Sequence, residues 1–412
     1  FILVSARRPK PSKVPRHLPC DGVGLSEGHA ARVPPARIYV QVDRVGDALG
    51  CQIETPMKKA QRRSFRIAFS ADFYDETGEP KFVDLGHGLF EDHADVELTQ
   101  FGEHRPDITP DQLADCAGAV ILSPRVTADS LVGCSELLAI GRFGVGYDNV
   151  DVGACTAHDV LAMITVGAVD RPVAEATIGW MIALTHHMLA KDRLVRTGQW
   201  NDRSQYMGCE LRERTLGVIG LGGIGRTLIS LLQGFGMQQP VVFDPFVPAE
   251  VVEELGAKRV SLEELLASAD FVSIHCPLNE KTRGLIGATE LALMKRDAYL
   301  LNTARGGIVD ETALYDALRT GRIAGAALDC FEDEPVTKPN RFAELENVIL
   351  APHAIAWTAE LFRDIGRTAC QCMLDLSAGR RPIGVLNREL FERPSFREKW
   401  SRVTGIPAED LS

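Results

Sequence analysis

Three ionisable residues in the second half of the 412-residue chain have the types and positions that chemistry would use: Arg305, Glu334 and His353. Each follows a short apolar run of strand character. Arg305 comes after Leu300-Leu301-Asn302-Thr303-Ala304, Glu334 with Asp329 after Ala326-Ala327-Leu328, and His353 after Val348-Ile349-Leu350-Ala351-Pro352. In a parallel sheet the carboxyl ends of the strands open onto one crevice, so these side chains would face it together. A guanidinium can hold a carboxylate bidentately, an imidazole exchanges a proton near neutral pH, and a neighbouring carboxylate keeps the imidazolium charged. Those are the parts needed to move a proton at a substrate held by its carboxylate. Each residue also has a bland reading. Arg305 beside Gly306-Gly307 could cap a turn, Glu334 lies in the acidic run Glu332-Asp333-Glu334-Pro335, and Pro352-His353 could be an ordinary turn. Their joint placement on consecutive strand ends favours chemistry.

The element that would position them lies upstream. Leu216 to Ile219 reads as a buried strand, Ile224 to Leu232 as a helix, and between them stand Gly220, Gly222 and Gly225 in a G-x-G-x-x-G that also contains Gly223. In such a unit the first glycine makes a tight turn, the second lets a pyrophosphate approach the backbone, and the third lets helix and strand pack closely. The phosphates rest on the helix N-terminus. The glycines alone fit a mere turn equally well. Asp244, 19 residues after Gly225 at the end of the run Val241-Val242-Phe243, supplies the ribose acceptor and repels a 2′-phosphate. NAD is therefore expected in preference to NADP.

Composition narrows the field. The net charge of −11 argues against nucleic acid as the main partner. Ten cysteines without a C-x-x-C pair read as reduced thiols of a cytoplasmic protein. No run reaches the roughly 20 apolar residues of a membrane span. Residues 1–64 differ from the rest, with twelve Lys and Arg against five Asp and Glu and little periodicity. They read as a basic leader, either disordered or cloning-derived, with a transit-type extension or the recruitment of an acidic partner as alternatives.

From Phe65 the chain alternates strands and helices. Phe65 to Phe69, Asp95 to Leu98 and Ala119 to Leu122 read as strands, the third running into a polar turn at Ser123-Pro124-Arg125 where a ligand is expected. Ile140 to Asp151, rich in glycine, is either a plain connector or a loop whose N–H groups grip a substrate carboxylate. Pro172 to Leu194 reads as one long helix carrying surface histidines at His186 and His187, a poor metal pair, and no metal is expected. Six strand sites beginning at Leu216, Val241, Phe271, Tyr299, Ala324 and Val348 predict a doubly wound sheet. Ser261 to Glu264 reads as a capping box, and Thr358 to Ser377 as a last helix stopped by Gly379.

At this point the sequence resembles a family, the D-isomer-specific 2-hydroxyacid dehydrogenases. The resemblance runs from about Phe65 to Pro382. Its marks are Arg142-Phe143-Gly144-Val145-Gly146-Tyr147-Asp148-Asn149-Val150-Asp151, Pro172-Val173-Ala174-Glu175, the Gly220 to Gly225 loop, His275-Cys276-Pro277-Leu278, Asn302-Thr303-Ala304-Arg305-Gly306-Gly307, Leu328 to Pro335 and Ala351-Pro352-His353. It implies a Rossmann domain over 166–356 and a smaller flavodoxin-like α/β substrate domain over 65–165 and 357–384, followed by a tail over 385–412. It implies that His353 is the acid/base, Glu334 its partner and Arg305 the anchor of the substrate carboxylate. Asp329 would orient the nicotinamide carboxamide. Cys276, Pro277, Thr303 and Ala304, with Ile224 of the glycine loop, would line the cofactor, which Arg305 and His353 also border. Val145 and Gly146 would touch the substrate.

Departures bear on the substrate. Phosphoglycerate enzymes of the family carry an Arg-Ser step where this chain has Leu122-Ser123-Pro124-Arg125, so Ser123 and Arg125 are candidate substrate contacts without the usual phosphate anchor. Trp357 could narrow the pocket or belong to the core. The resemblance further implies a homodimer built on the Pro172 helix. Its rival from another class is a non-enzymatic NAD(H)-sensing binder similar to the co-repressors of this fold.

Overall fold

The structure, a computed structural model, describes residues 64–411. The reading of a basic leader therefore lies outside the described residues, Ser64 apart. Two parallel sheets organise the chain. The first contains β1 (Phe65–Phe69), β2 (Val96–Gln100), β3 (Gly118–Ile121), β4 (Ala139–Arg142) and β5 (Leu161–Ile164) in the order β2-β1-β3-β4-β5, with α1 (Pro110–Leu113) and α2 (Val152–Ala157) among its connections. This is the flavodoxin-like doubly wound order, with the reversal between β1 and β3. Period-two alternation sets its faces. Ile67 and Phe69 pack with Leu161 and Met163 in one core, whereas Ala68, Ile121 and Ile140 join Leu113 and Cys155 in another.

Next come α3 (Asp170–Thr185) and α4 (Met188–Arg196). The single helix expected from Pro172 to Leu194 is thus broken at His186-His187. His187 is left-handed, with φ 50°, and the returning chain places Cys209 N 3.0 Å from the Thr185 carbonyl, which takes that hydrogen bond. Apolar periodicity continues across the break, so the sequence pattern gives no sign of it.

The second sheet contains β6 (Leu216–Ile219), β7 (Val241–Phe243), β8 (Lys258–Arg259), β9 (Phe271–Ile274), β10 (Tyr299–Asn302), β11 (Gly325–Leu328) and β12 (Val348–Leu350). Its helices are α5 (Gly223–Leu232), α6 (Ala249–Glu254), α7 (Leu262–Ser268), α8 (Ala288–Leu293) and α9 (Glu311–Arg319). The order β12-β11-β10-β9-β6-β7-β8 is that of a Rossmann sheet with one strand beyond the six expected. The extra strand, β8, is a two-residue edge of exposed Lys258 and Arg259, so no apolar pattern announces it. Only half of the capping box forms. Ser261 Oγ accepts from Glu264 N at 3.1 Å, while the Glu264 carboxylate turns to Lys258 Nζ at 2.8 Å.

The chain then passes through α10 (Ala359–Ser377), capped by Thr358, to α11 (Pro394–Thr404). Both pack on the first sheet. Ile365 and Met373 of α10 and Phe396 and Trp400 of α11 share the core of Ile67 and Phe69. The segment read as a tail is therefore part of that core. Trp400 is fully buried and its indole N–H donates to the Leu376 carbonyl at 2.8 Å. Trp400→Ala is expected to destabilise the fold by about 3–5 kcal/mol, the usual cost of an aromatic-sized cavity. Urea unfolding followed by far-UV circular dichroism measures this; an unchanged midpoint would mean that the tail contributes nothing.

Candidate active site

β6 and β9 lie side by side where the strand order reverses, and the glycine loop leaves the carboxyl end of β6 there. Gly220 has φ 92°, and a Cβ on it would fall 2.7 Å from Cys276 N at the end of β9. A Cβ on Gly225 would fall 2.7 Å from the Gly220 carbonyl, whereas nothing lies within 4 Å of one built on Gly222. The loop is thus tight below and open above, the shape a pyrophosphate needs. Asp244 closes it from β7: its carboxylate accepts from Leu221 N at 2.8 Å and from Phe246 N at 2.9 Å. Over Gly223 lies the half-buried carboxyl of Asp170 at the start of α3, where an added Cβ would meet Oδ2 at 2.0 Å; burial pushes this carboxyl above the ordinary range.

The three candidate catalytic side chains come from the ends of β10, β11 and β12. After β10, the buried Asn302 shapes the turn by donating to the Arg305 carbonyl at 2.9 Å and accepting from Ala304 N at 3.1 Å. Gly306 is required next, because a Cβ there would lie 1.8 Å from the Phe331 carbonyl. Arg305 Nε donates to Asp148 Oδ2 at 2.7 Å and Nη1 to the Ala304 carbonyl at 2.7 Å. Its Nη2 stands where a Gly146 Cβ would come within 1.2 Å, so the guanidinium lies directly on the glycine-rich loop that follows β4. The first sheet and the second therefore meet at Arg305.

After β12, Glu334 Oε2 is 2.8 Å from His353 Nδ1, while Glu334 Oε1 accepts from Phe331 N at 2.9 Å. Burial opposes ionisation of Glu334, but the His353 ring and the Phe331 N–H outweigh it, and the Arg305 charge adds to them; the carboxyl is held below its ordinary range. His353 is left-handed, with φ 53°, and its loop is clamped by Asp329, whose buried carboxylate accepts from Ala354 N at 2.9 Å and Ile355 N at 3.2 Å. Burial pushes the Asp329 carboxyl up. The donor atoms of Cys330, Glu334 and His353 lie within 4.8 Å of one another, and burial raises the Cys330 thiol above its ordinary range.

Comparison with known proteins places the chain in a family. The sequence profile of the "D-isomer specific 2-hydroxyacid dehydrogenase, NAD binding domain" matches residues 178–354. A glyoxylate reductase of Korarchaeum cryptofilum is 34% identical over 311 residues, covering 74% of this chain and 93% of that protein. The chain belongs to the D-isomer specific 2-hydroxyacid dehydrogenase family. The D-3-phosphoglycerate dehydrogenase of Methanocaldococcus jannaschii is 40% identical over 264 residues, which are 64% of this chain and 50% of that protein. The chain thus spans about half the length of the phosphoglycerate dehydrogenases it matches. Among solved structures, the glyoxylate reductase of Paecilomyes thermophila superposes with a TM-score of 0.68 at 26% identity, covering 79% of this chain and 99% of that one.

NAD is the cofactor of this dehydrogenase family's matched domain, and the residues present fit it. The open space over Gly222 suits the pyrophosphate, Asp244 suits a ribose diol, and Thr303 Oγ1 is buried without a hydrogen-bond partner. Cys276 is a protonated thiol, raised by burial to about 11, so it adds no negative charge there. Asp244→Ala is expected to weaken NADH about 10- to 100-fold, the worth of a charge-assisted hydrogen bond, and to narrow the preference over NADPH. The ratio of kcat/KM for the two cofactors measures it. A wild type that already prefers NADPH would remove Asp244 from this role.

The structure joins some of the sequence-level candidates and leaves others apart. Arg305, Gly146, Glu334, His353 and Asp329 form one network. Ser123 instead directs its N–H and hydroxyl to the Asp72 carboxylate, and Arg125 is held fork to fork by Asp107, with Nε to Oδ1 at 2.6 Å. Val145 packs at the edge of the first core. Trp357 is 61% exposed, so the reading of it as core does not hold. His186 and His187 share no metal-type cluster among the described residues. Sequence reasoning missed Asp148, Arg142 and Asp170. Arg142 is the one with a visible signal, a cation at the end of the apolar run Leu137 to Ile140. It is partly buried, its Nε is buried without a partner, and desolvation first and the Arg305 charge second push it down to about 10.

Proposed function

We propose that this chain is an NAD-dependent D-2-hydroxyacid dehydrogenase that exchanges a hydride between NAD(H) and C2 of a 2-oxoacid. The observation that carries the reading is the His353–Glu334 pair at 2.8 Å within electrostatic reach of Arg305. NADH, when bound, supplies the hydride. Arg305 holds the substrate carboxylate and stabilises the alkoxide as it forms, aided by the N–H groups of Val145 and Gly146. His353 uses Nδ1 toward Glu334, which leaves Nε2 to give a proton to the nascent alkoxide and to take it back in the reverse direction. Asp329 positions this histidine through the Ala354 and Ile355 N–H groups and orients the nicotinamide carboxamide. Closure of the first sheet's domain on the second excludes water from the hydride. The test is NADH oxidation with a panel of 2-oxoacids, in which at least one acid should be reduced by the wild type and none at comparable rate by His353→Ala. A non-enzymatic NAD(H) sensor is not favoured, since the relatives matched are named as dehydrogenases and reductases.

The protein is proposed to act as a homodimer through α4 and the segment after it. Met188, Leu189, Val195, Trp200 and Met207 are all more than half exposed there, an apolar surface larger than single scattered residues. Leu189→Asp with Trp200→Asp is expected to convert a dimer into a monomer, read by light scattering on a sizing column. A monomeric wild type would overturn the proposal. The eight described cysteines are all unpaired, which supports a cytoplasmic setting.

A further inference from the structure

Beside the His353 loop an aromatic cluster runs from the buried Phe143 through the partly buried Phe82 and Phe362 to the exposed Trp357, and neither the hydride chemistry nor the cofactor uses it. Phe82 and Phe362 stack with centroids 4.1 Å apart, Trp357 stands edge-on to Phe362 at 5.2 Å, and Phe143 stacks on Phe362 at 6.3 Å. Phe82, Val83, Trp357 and Phe362 line an open groove of about 250 Å³. Two contacts tie its walls to the loops of the proposed active site. Trp357 N donates to the Ala354 carbonyl, one residue past His353, and Phe143 begins the loop on whose Gly146 the Arg305 guanidinium lies. Trp357 is 61% exposed and Val83 99% exposed, so the outer part of this apolar wall faces water. Its one cation, Lys81, directs Nζ to the Asp72 carbonyl at 3.1 Å, and Arg125 is occupied by Asp107, so neither is presented to a second anionic group.

Resting on the dehydrogenase reading above, we infer that the groove receives the C3 substituent of the substrate, and that this substituent is bulky and apolar: the substrate is an aromatic or branched-chain 2-oxoacid, not a phosphorylated or two-carbon one. Arg305 fixes the carboxylate and His353 the C2 oxygen, which leaves the third substituent of C2 to lie along the wall of Phe82, Phe362 and Trp357. Covering exposed aromatic surface with apolar substituent atoms removes both from water, and a polar phosphate gains nothing from it.

The experiment measures steady-state NADH oxidation with phenylpyruvate, 4-methyl-2-oxopentanoate, glyoxylate and 3-phosphohydroxypyruvate, for the wild type, Trp357→Ala and Trp357→Phe. In the wild type, kcat/KM for phenylpyruvate should exceed that for glyoxylate about 10-fold or more, since each apolar group in a pocket is worth roughly that. Trp357→Ala should reduce this ratio about 10-fold, mainly through KM, and Trp357→Phe should restore most of it. Trp357 is exposed, so loss of folding does not confuse the result. A wild type that turns over glyoxylate or 3-phosphohydroxypyruvate better than both apolar acids, or a ratio that Trp357→Ala leaves unchanged, would overturn the inference while the dehydrogenase reading stands. If no 2-oxoacid is reduced, that reading fails and this one with it.

Discussion

Replacing His353 by alanine is expected to lower kcat for 2-oxoacid reduction about 10²- to 10⁴-fold, the range that a positioned general acid supplies, with NADH affinity retained. The size of the loss follows from how the ring is fixed. Its backbone is left-handed, two N–H groups just beyond it are taken by Asp329, and Nδ1 is bound to Glu334. An imidazole so constrained has its second nitrogen in one place, and no other described side chain bonds to Glu334. Glu334→Gln is the informative partner. An amide can still orient the ring but carries no charge to stabilise the imidazolium, so a smaller loss of about 10-fold is expected, from a charge-assisted bond weakened to a neutral one. NADH binding followed by fluorescence separates the two steps. If His353→Ala binds NADH and keeps wild-type turnover, the proton comes from elsewhere and the assignment fails.

Arg305→Lys should cost about 10²- to 10³-fold in kcat/KM, as for removal of one donor that stabilises a developing oxyanion. Lysine keeps the charge but loses the planar fork, and only the fork can hold a carboxylate while one nitrogen remains on the backbone. The surroundings are built for that fork: Gly146 leaves room for Nη2, the Ala304 carbonyl takes Nη1 and Asp148 takes Nε. The substrate carboxylate therefore meets a guanidinium already oriented by Asp148, a half-exposed anion from the other sheet. The expected loss appears in both kcat and KM, because the same side chain binds the ground state and the alkoxide. Wild-type kcat/KM in Arg305→Lys, measured with the best 2-oxoacid, would show that the carboxylate is held by another group, and the partly buried Arg142 would be the first to test.

Much of the architecture could be read in advance because its causes are local. The branched apolar runs at Leu216, Phe271 and Val348 have strand length, Gly220 and Gly225 sit where any side chain would strike neighbouring backbone, and Asp244 ends the next strand. Those features persist whatever lies around them, so the Rossmann sheet and the strand ends bearing Arg305, Glu334 and His353 follow from types and spacing alone. The α3–α4 break, by contrast, rests on a carbonyl given to Cys209, distant in sequence, and β8 on an edge whose residues are both exposed. Neither leaves a mark in periodicity.

The same division runs through the site. The sequence by itself determined which groups could exchange a proton and hold an anion, since acidity, charge and strand-end position belong to the residue and its immediate run. Only the tertiary structure decided how they are held. It placed Asp148 on Arg305, Asp329 under the His353 loop, Arg142 in a desolvated place with an unpaired nitrogen, and Trp357 on the surface; it also tied Arg125 to Asp107 and Ser123 to Asp72. These contacts join residues 18 to 157 positions apart. Hydrogen-bond partners and burial at such separations depend on how two sheets pack, and the pattern along a single strand or helix carries no information about that.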